Sequence, residues 1–375
     1  MSQHEAGVPG GDSAAPTMAA ADRLLPRRRH PYYVVAPRYL QASAGIKALH
    51  MLCHALNRAG ETAYLVIHPF YPRPDKATHP YLLTPLLDAQ RVQTHFADGV
   101  CPITVYSESV RGNPFDAPLV ARYLLHFPGH LGGDACFADA EIGVAYSEAI
   151  AQAVPGAATT LFMPVSDPAL FSPPPPGQPR SGSCFYAAKY QSVHQAPLFD
   201  VTRDSVEITR LRPDSQTPEQ IAELFRRSEL FYCYENSALI IEALLCGCPV
   251  VMLPNPYLDR SIGDHEIGWD GIAWGADAAE VARAKATVTL GRARYMACFA
   301  RFEQQLHDFI ALTQARAART AYTQPVHIEY LRPPGLPSRL HASVKYAWRL
   351  LRDHGVRGFW RNAVSRLQRA GVTLP

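Results

Sequence analysis

The 375-residue sequence lacks long apolar runs: it has no uninterrupted apolar stretch of about 18 or more residues, the length that a membrane-spanning helix needs. Its first 30 residues have acidic side chains early and no apolar core, so they do not follow the pattern of a signal peptide. They are rich in Gly, Ala, Pro and Ser, which predicts a disordered lead-in over residues 1–30. These absences predict a cytoplasmic protein.

The sequence also lacks a CxxC pair, although it contains eight cysteines. Cys246 and Cys248 form a CxC with no nearby His or Cys partner, and a metal site needs more converging ligands than that. We therefore predict no metal and no cofactor, and we expect buried free thiols in a reducing compartment.

Apolar residues make up 47% of the chain and charged residues 18%, which is the composition of a globular protein. The length is natural for two domains. Residues 172–182 read SPPPPGQPRSG, and four consecutive prolines exclude a helix or a central strand. We predict a Pro-rich linker there, between one domain at 31–171 and a second at 183–320.

Both predicted domains alternate strands with helices, which indicates two Rossmann-like halves with parallel sheets. In the first half, a strand at 31–37 leads through Ser43 into a helix that ends at Gly60. A second helix is predicted for APLVARYLLHFPG, residues 117–129, because Pro128 and Gly129 would stop it. The remaining predicted strands lie at 62–68, 103–107, 142–147, 183–189, 206–211, 229–234 and 249–253.

The segment YENSALIIEALLCGCPVV, residues 234–251, places Glu242 inside an apolar helix that Asn236 or Ser237 would cap. An ionised carboxylate in apolar surroundings costs several kcal/mol unless it is paired. Two adjacent sugar hydroxyls would satisfy Glu242, and so would a buried Arg or Lys. Backbone N–H groups at 236–239 would suit a diphosphate. Glu235 stands seven residues before Glu242, about 10 Å along a helix axis at 1.5 Å per residue, which is of the order of the span from a nucleotide's ribose to the sugar beyond its diphosphate. The alternative is that Glu235 is a surface charge.

This segment resembles the carboxyl-terminal signature of GT-B glycosyltransferases, especially glycosyltransferase family 4, which carry two glutamates around EALACGxPVV. SAGIKALHMLCHALNRAG resembles their first loop and helix. SESVRGNP and RYLLHFPGHLGGD resemble segments of bacterial surface-polysaccharide glycosyltransferases. One departure is that Glu235 and Glu242 have six residues between them, whereas the family usually has seven. The resemblance implies a GT-B fold, in which two Rossmann-like domains with parallel sheets face each other across a cleft.

The resemblance also implies roles for matched residues. Glu242 would hold the donor ribose and Glu235 would contact the transferred sugar. Lys189 would neutralise the diphosphate, although it is alternatively a solvated charge. Arg203 or Arg210 would replace a family Arg that is missing here. The remaining implied donor-binding residues are Gly45, Asn236, Ser237 and Ala238.

On the acceptor side, Glu108 ends a strand and is a candidate general base for an inverting reaction. Asp134 and His126 are weaker candidates. For all three residues, an ordinary role in a loop or in the core is the alternative.

The tail is basic. Residues 331–375 hold nine Lys or Arg and one acid, a net +8, so the other 330 residues of this +3 chain sum to −5. Two amphipathic basic helices with Trp348 and Trp360 are predicted within 321–375. Residues 341–369 either bind an anionic membrane surface, which would make the protein peripheral at the inner face of the cell membrane, or dock on the first domain. No nucleic-acid motif accompanies the charge.

These features predict a metal-independent glycosyltransferase that moves a sugar from a nucleotide-diphosphate donor to a glycan or lipid-linked glycan acceptor in cell-surface polysaccharide biosynthesis. Two alternatives stay open. One is a nucleotide-sugar epimerase of the same fold, which would isomerise the donor without an acceptor. The other is a non-catalytic sugar-nucleotide or glycan-binding partner, which would bind the donor without turnover.

Overall fold

The protein forms two parallel β-sheets joined by one connection and bridged by one long helix. The structure, a computed structural model, describes residues 29–327 except 131, 211 and 213, and also residue 331. The predicted lead-in at 1–30, apart from its last two residues, and most of the basic tail at 321–375 lie outside the described residues. His30 is buried and its N–H donates to the Gln314 side chain at 3.0 Å, so the predicted disorder is wrong at that position. Within the described residues, no helix is both long and apolar enough to cross a membrane.

The first sheet has six parallel strands in the order β2-β1-β3-β4-β5-β6. Two mostly buried strand runs, YYVVA and ITVYS, give β1 and β3 at its centre. The strands are β1 Tyr32–Ala36, β2 Ala63–Ile67, β3 Ile103–Ser107, β4 Leu119–Leu124, β5 Ile142–Ala145 and β6 Ala157–Thr160. The α-helices of this half are α1 Ala44–Arg58, α2 Ala89–Ala97 and α3 Glu148–Ala153, and a 3₁₀ turn spans Pro74–Lys76.

The second sheet has five parallel strands in the order β11-β10-β9-β7-β8. The strands are β7 Ser183–Tyr186, β8 Val206–Glu207, β9 Leu230–Cys233, β10 Val250–Met252 and β11 Ile272–Trp274. The helices are α4 Ala188–Ser192, α5 Pro218–Arg227, α6 Leu239–Leu245 and α7 Asp264–Ile267, with a 3₁₀ turn at Asp200–Thr202. The prediction of a GT-B architecture, two Rossmann-like parallel sheets facing one cleft, is confirmed.

The helix predicted over 117–129 is wrong, because Leu119–Leu124 is the strand β4 between β3 and β5. All six of its residues are buried. A strand covered on both faces reads as a continuous apolar run, so it shows no alternation that would separate it from a helix. Its one charge, Arg122, is held by Glu141, with 2.8 Å between Nε and Oε2.

Several boundaries differ from the predicted ones. The strand predicted at 183–189 ends at Tyr186, and Lys189 lies in the short helix α4 instead. The strands β6 and β11 lie where no strand was predicted. Seven of the eight cysteines are buried and free, as expected, whereas Cys136 is exposed.

The helix α8, Ala278–Ala317, runs for 40 residues and packs on both halves of the protein. Tyr295 and Cys298 belong to the core of the second sheet, whereas Leu306 and Phe309 belong to the core of the first. The last part of this helix, which falls inside the predicted second domain at 183–320, therefore packs against the core of the first sheet. The segment 172–182 has no helix or strand, as its prolines require.

The connection between the sheets is fixed to α8 by Tyr295. Its hydroxyl accepts from the Ser166 N–H and donates to the Ser166 carbonyl, both at 2.9 Å. Tyr295 is 1% exposed, so water cannot replace these bonds. This tyrosine therefore joins the long helix to the only chain segment that passes directly from β6 to β7.

We expect Tyr295→Phe to lower the free energy of unfolding by about 1–3 kcal/mol, because two buried backbone groups lose their partner. Urea denaturation monitored by circular dichroism measures the change. Tyr81→Phe is the control, since Tyr81 is 86% exposed and should change stability by less than about 0.5 kcal/mol. Equal effects of the two substitutions would contradict a structural role for the Tyr295 hydroxyl.

Candidate functional site

The cleft lies where the strand order reverses in both sheets. In the first sheet the reversal falls between β1 and β3, and in the second between β7 and β9. Ligands of doubly wound sheets bind at this point, beyond the carboxyl ends of the strands. Residues that follow these four strands line a single cavity of about 430 Å³. That volume is within the range of pockets that hold small molecules, about 300–1,000 Å³.

The first sheet contributes Gly45, Glu108 and His126 to the cavity wall. Gly45 lies in the first turn of α1, where the Ser43 hydroxyl accepts from the Ile46 N–H at 3.4 Å. A Cβ added to Gly45 would meet Leu125 at 3.6 Å, which is an ordinary contact, so the backbone there does not require glycine. Because Ser43, Ala44 and Gly45 line the cavity, the N-terminus of the 15-residue α1 opens onto it and adds positive potential.

Glu108 follows β3 and is 3% exposed. Its Oε2 accepts from the Leu125 N–H at 2.9 Å, which fixes the carboxyl group at the cavity. Burial raises the pKa of Glu108, against backbone hydrogen bonds and the Arg122 charge that lower it. A carboxyl group whose pKa is raised towards neutrality is a better proton acceptor than an exposed one.

The second sheet contributes every other predicted donor-site residue except Glu242: Lys189, Arg210, Glu235, Asn236, Ser237 and Ala238. Glu235 is 8% exposed, which is inconsistent with the alternative of a surface charge. Its Oε2 accepts from the Lys189 N–H at 3.0 Å. Burial raises the pKa of Glu235, and the Lys189 charge opposes that shift.

Lys189 and Arg210 are the cations of the cavity wall. Neither side chain makes an ion pair or hydrogen bond with another residue in the described part of the chain; Lys189 is exposed and Arg210 is half-buried. Arg203, the other candidate for the missing arginine, pairs with Asp200 on the surface instead. The cavity therefore has two cations available for an anionic ligand.

The side chain of Asn236 holds a loop that forms part of the cavity wall. Its Nδ2 donates to the Arg260 carbonyl at 3.0 Å, and its Oδ1 accepts from the Ile262 N–H at 3.1 Å. Ser237 accepts from the Leu239 N–H at 3.3 Å, in the first turn of α6. Asn236 thus positions the loop at 260–263, whereas Ser237 serves the start of the helix.

Glu242 does not line the cavity. It is 2% exposed, and its Oε1 lies 3.8 Å from Nζ of Lys47 in α1. Lys47 also donates to the Val165 carbonyl at 3.2 Å. Burial lowers the pKa of Lys47 and the Glu242 charge raises it. The alternative of a buried Lys partner for Glu242 therefore describes this structure, and its ribose-binding role stays a prediction.

The second oxygen of Glu242, Oε2, is buried without a hydrogen-bond partner among the described residues. A buried carboxylate oxygen without a partner is rare and needs a physical reason. Sequence reasoning missed Lys47, although a lysine inside the apolar run AGIKALHML was a signal of the same kind as Glu242.

Asp134 does not line the cavity. Its Oδ2 accepts from the Gly112 N–H at 2.6 Å, and its Oδ1 pairs with Arg111 at 3.4 Å. It therefore stabilises a loop, which was its alternative role. No three His, Cys, Asp or Glu side chains of the described residues come together as a metal site requires.

No family model matches the sequence, and no curated protein is significantly similar to it. Solved glycosyltransferase structures are similar at low identity. One from Rickettsia africae has 9% identity and a TM-score of 0.47, covering 78% of this chain and 100% of its own. SnogD from Streptomyces nogalater has 11% identity and a TM-score of 0.39, covering 76% of this chain and 100% of its own. MurG from Acinetobacter baumannii has 12% identity and a TM-score of 0.31, covering 77% of this chain and 100% of its own. Scores and identities this low do not establish a shared activity, so function has to be inferred from the cleft.

We expect Lys47→Met and Glu242→Gln to be strongly coupled. Lys47→Met leaves a buried carboxylate without its cation and should lower the free energy of unfolding by about 3–5 kcal/mol. The double variant removes both charges and should lose less than the sum of the two single variants. Urea denaturation of all four proteins at pH 7 measures the coupling, and simple additivity would contradict an ion pair in solution.

Proposed function

We propose that the protein is a glycosyltransferase that moves a sugar from a nucleotide-diphosphate donor to an acceptor bound across the cleft. The single observation that carries this proposal is the joint cavity at the two strand-order reversals, which has cations on one wall and a buried carboxyl group on the other. A two-substrate transfer needs two such faces, because each substrate must be held while the sugar passes between them.

The donor is assigned to the second sheet. Lys189 and Arg210 would bind the diphosphate, together with backbone N–H groups at 236–238 and the N-terminus of α1. Negative charge grows on the leaving nucleotide as its bond to the sugar breaks, and fixed cations stabilise that charge. This chemistry does not require a metal ion.

The acceptor is assigned to the first sheet, opposite Glu235. Glu108 would remove the proton from the acceptor hydroxyl if the reaction inverts the anomeric centre, and Glu235 would contact the transferred sugar. Because Glu242 does not line the cavity, binding of the ribose by its unpartnered Oε2 would require the cavity wall to move. The acceptor class that the sequence resemblance implies, a glycan or lipid-linked glycan of the cell surface, and a cytoplasmic location remain part of this proposal.

We expect a nucleoside diphosphate to bind the wild type, and Lys189→Met and Arg210→Met each to weaken that binding about 10–100-fold. A hydrogen bond to a charged group contributes about 1.5–3 kcal/mol, which gives this range. Calorimetry with UDP, GDP and dTDP measures the affinities. Arg212→Met is the matched control, because Arg212 pairs with Glu207 at 3.1 Å and does not line the cavity.

Turnover separates the alternatives. A transferase releases nucleotide from the donor faster when an acceptor is present, and a metal-independent one does so with or without a chelator. We expect Glu108→Gln to reduce that rate at least 100-fold, which is within the range for general base catalysis. Isomerised donor without acceptor would indicate the epimerase. Donor binding without turnover on any acceptor would indicate the binding partner. Loss of activity on chelation would contradict the metal-independent mechanism.

A further inference from the structure

A second, smaller cavity of about 50 Å³ adjoins the cleft, and its walls are rich in histidine. Four residues line both cavities, namely His126, Lys189, Glu235 and Asn236, so the small cavity is a side pocket of the cleft. The proposed transfer does not use it. Its volume holds roughly four water molecules, or one small polar group of a ligand.

Three imidazoles surround this side pocket. The rings of His126 and His130 are stacked, with centroids 4.1 Å apart and planes 10° apart. His194 stacks on Tyr257 at 3.6 Å and 7°. Lys189 completes the wall. Nitrogen lone pairs lie in the ring planes, so the stacked rings of His126 and His130 cannot converge on a metal ion, and Lys189 would repel one.

His126 presents a hydrogen-bond donor to the pocket. Its Nδ1 accepts from the Phe127 N–H at 2.9 Å, so in the neutral ring Nε2 carries the proton. That N–H makes no hydrogen bond with another residue of the described ranges. A buried donor beside a lysine is what an anion requires.

Both cationic and anionic groups face the stacked pair. Burial, the neighbouring His130 and Lys189 lower the pKa of His126 to about 3. Burial, Lys189 and His194 also lower the pKa of His130, whereas Asp259 raises it. The carboxylate of Glu235 is tied to the Lys189 N–H, and Asp259 pairs with Arg260 at 3.3 Å. Among the described residues that line the pocket, Glu235 is the one carboxylate. Its charge opposes that of Lys189, and it makes no hydrogen bond to an imidazole, so the ring donors of His126 and His130 stay available to a ligand.

We propose that this side pocket binds the carboxylate of an acidic sugar. This inference rests on the proposed function, because it places the transferred sugar beside Glu235, at the mouth of the pocket. The carboxylate would accept from Nε2 of His126, from Lys189 and from the ring of His130. A neutral sugar would leave these donors to water.

The pH dependence follows from the same contacts. The two imidazoles are neutral at pH 7 in the empty pocket, because their pKa values are lowered. A bound carboxylate favours their charged forms and raises both pKa values, so binding takes up protons. The affinity for an acidic sugar therefore rises as the pH falls towards the raised pKa values of the bound state, whereas that for a neutral sugar changes little.

Matched donors test the proposal. UDP-glucuronate and UDP-glucose differ only at the carboxylate, and GDP-mannuronate and GDP-mannose form a second pair. We expect the acidic member to bind at least tenfold more tightly at pH 6.5, with proton uptake seen as a buffer-dependent calorimetric enthalpy. His126→Gln and His130→Gln should remove most of this preference, and His307→Gln, at an exposed position on α8, should retain it.

A second arm identifies the source of the carboxylate. With UDP or GDP bound, the affinity for methyl glucuronide is compared with that for methyl glucoside. A preference for the acidic sugar that is seen in this arm but not among the donors assigns the carboxylate to the acceptor. Equal binding of acidic and neutral sugars in both arms would overturn the side-pocket proposal and leave the donor site intact. Failure of all four donors, and of dTDP, to bind would overturn the proposed function and this inference together.

Discussion

The ion pair between Lys47 and Glu242 holds the two halves of the protein in one arrangement. Lys47 belongs to α1 over the first sheet, and Glu242 belongs to α6 over the second. The side chains are 7% and 2% exposed, so separating them would leave two buried charges without partners. Lys47 also binds the Val165 carbonyl in the connection between the sheets. One ammonium group thus fixes the first turn of α1 against the start of α6, and those two segments form facing walls of the cleft.

The long helix α8 also restrains the two sheets relative to each other, because one continuous helix packs on both of them. It fills the core of the second sheet with Tyr295 and the core of the first with Phe309, without a break in the helix. At its far end the Thr313 hydroxyl lies 2.8 Å from the Tyr32 hydroxyl of β1. An ion pair near the cleft and a continuous helix across both cores restrain relative motion of the sheets more than a single linker could. The cleft is therefore largely formed before a ligand arrives, which reduces the ordering cost of binding.

The sequence was sufficient to predict what depends on local pattern. Helix α1, its Ser43 cap and most strands follow from periodicity, and the facing strand ends bring Glu108, Lys189 and Glu235 to one cavity as expected. The strand β4 was mistaken for a helix because a strand buried on both faces has no alternation. The pairing of Lys47 with Glu242 could not be predicted, because the two residues are 195 positions apart and only the packing of the two sheets brings them together. The stacked histidines escaped prediction for the same reason of long-range packing.

Lys189 links the chemistry of the two cavities, because it lines both. A donor that carries a diphosphate and a sugar carboxylate would place two anions near one ammonium group, and a second cation would be needed to balance them. Arg210 faces the larger cavity, and the stacked imidazoles of His126 and His130 face the smaller one. Imidazoles suit that place better than a second lysine would. They are neutral when the pocket is empty, so they add no repulsion to Lys189, and they gain charge only when an anion is there to stabilise it.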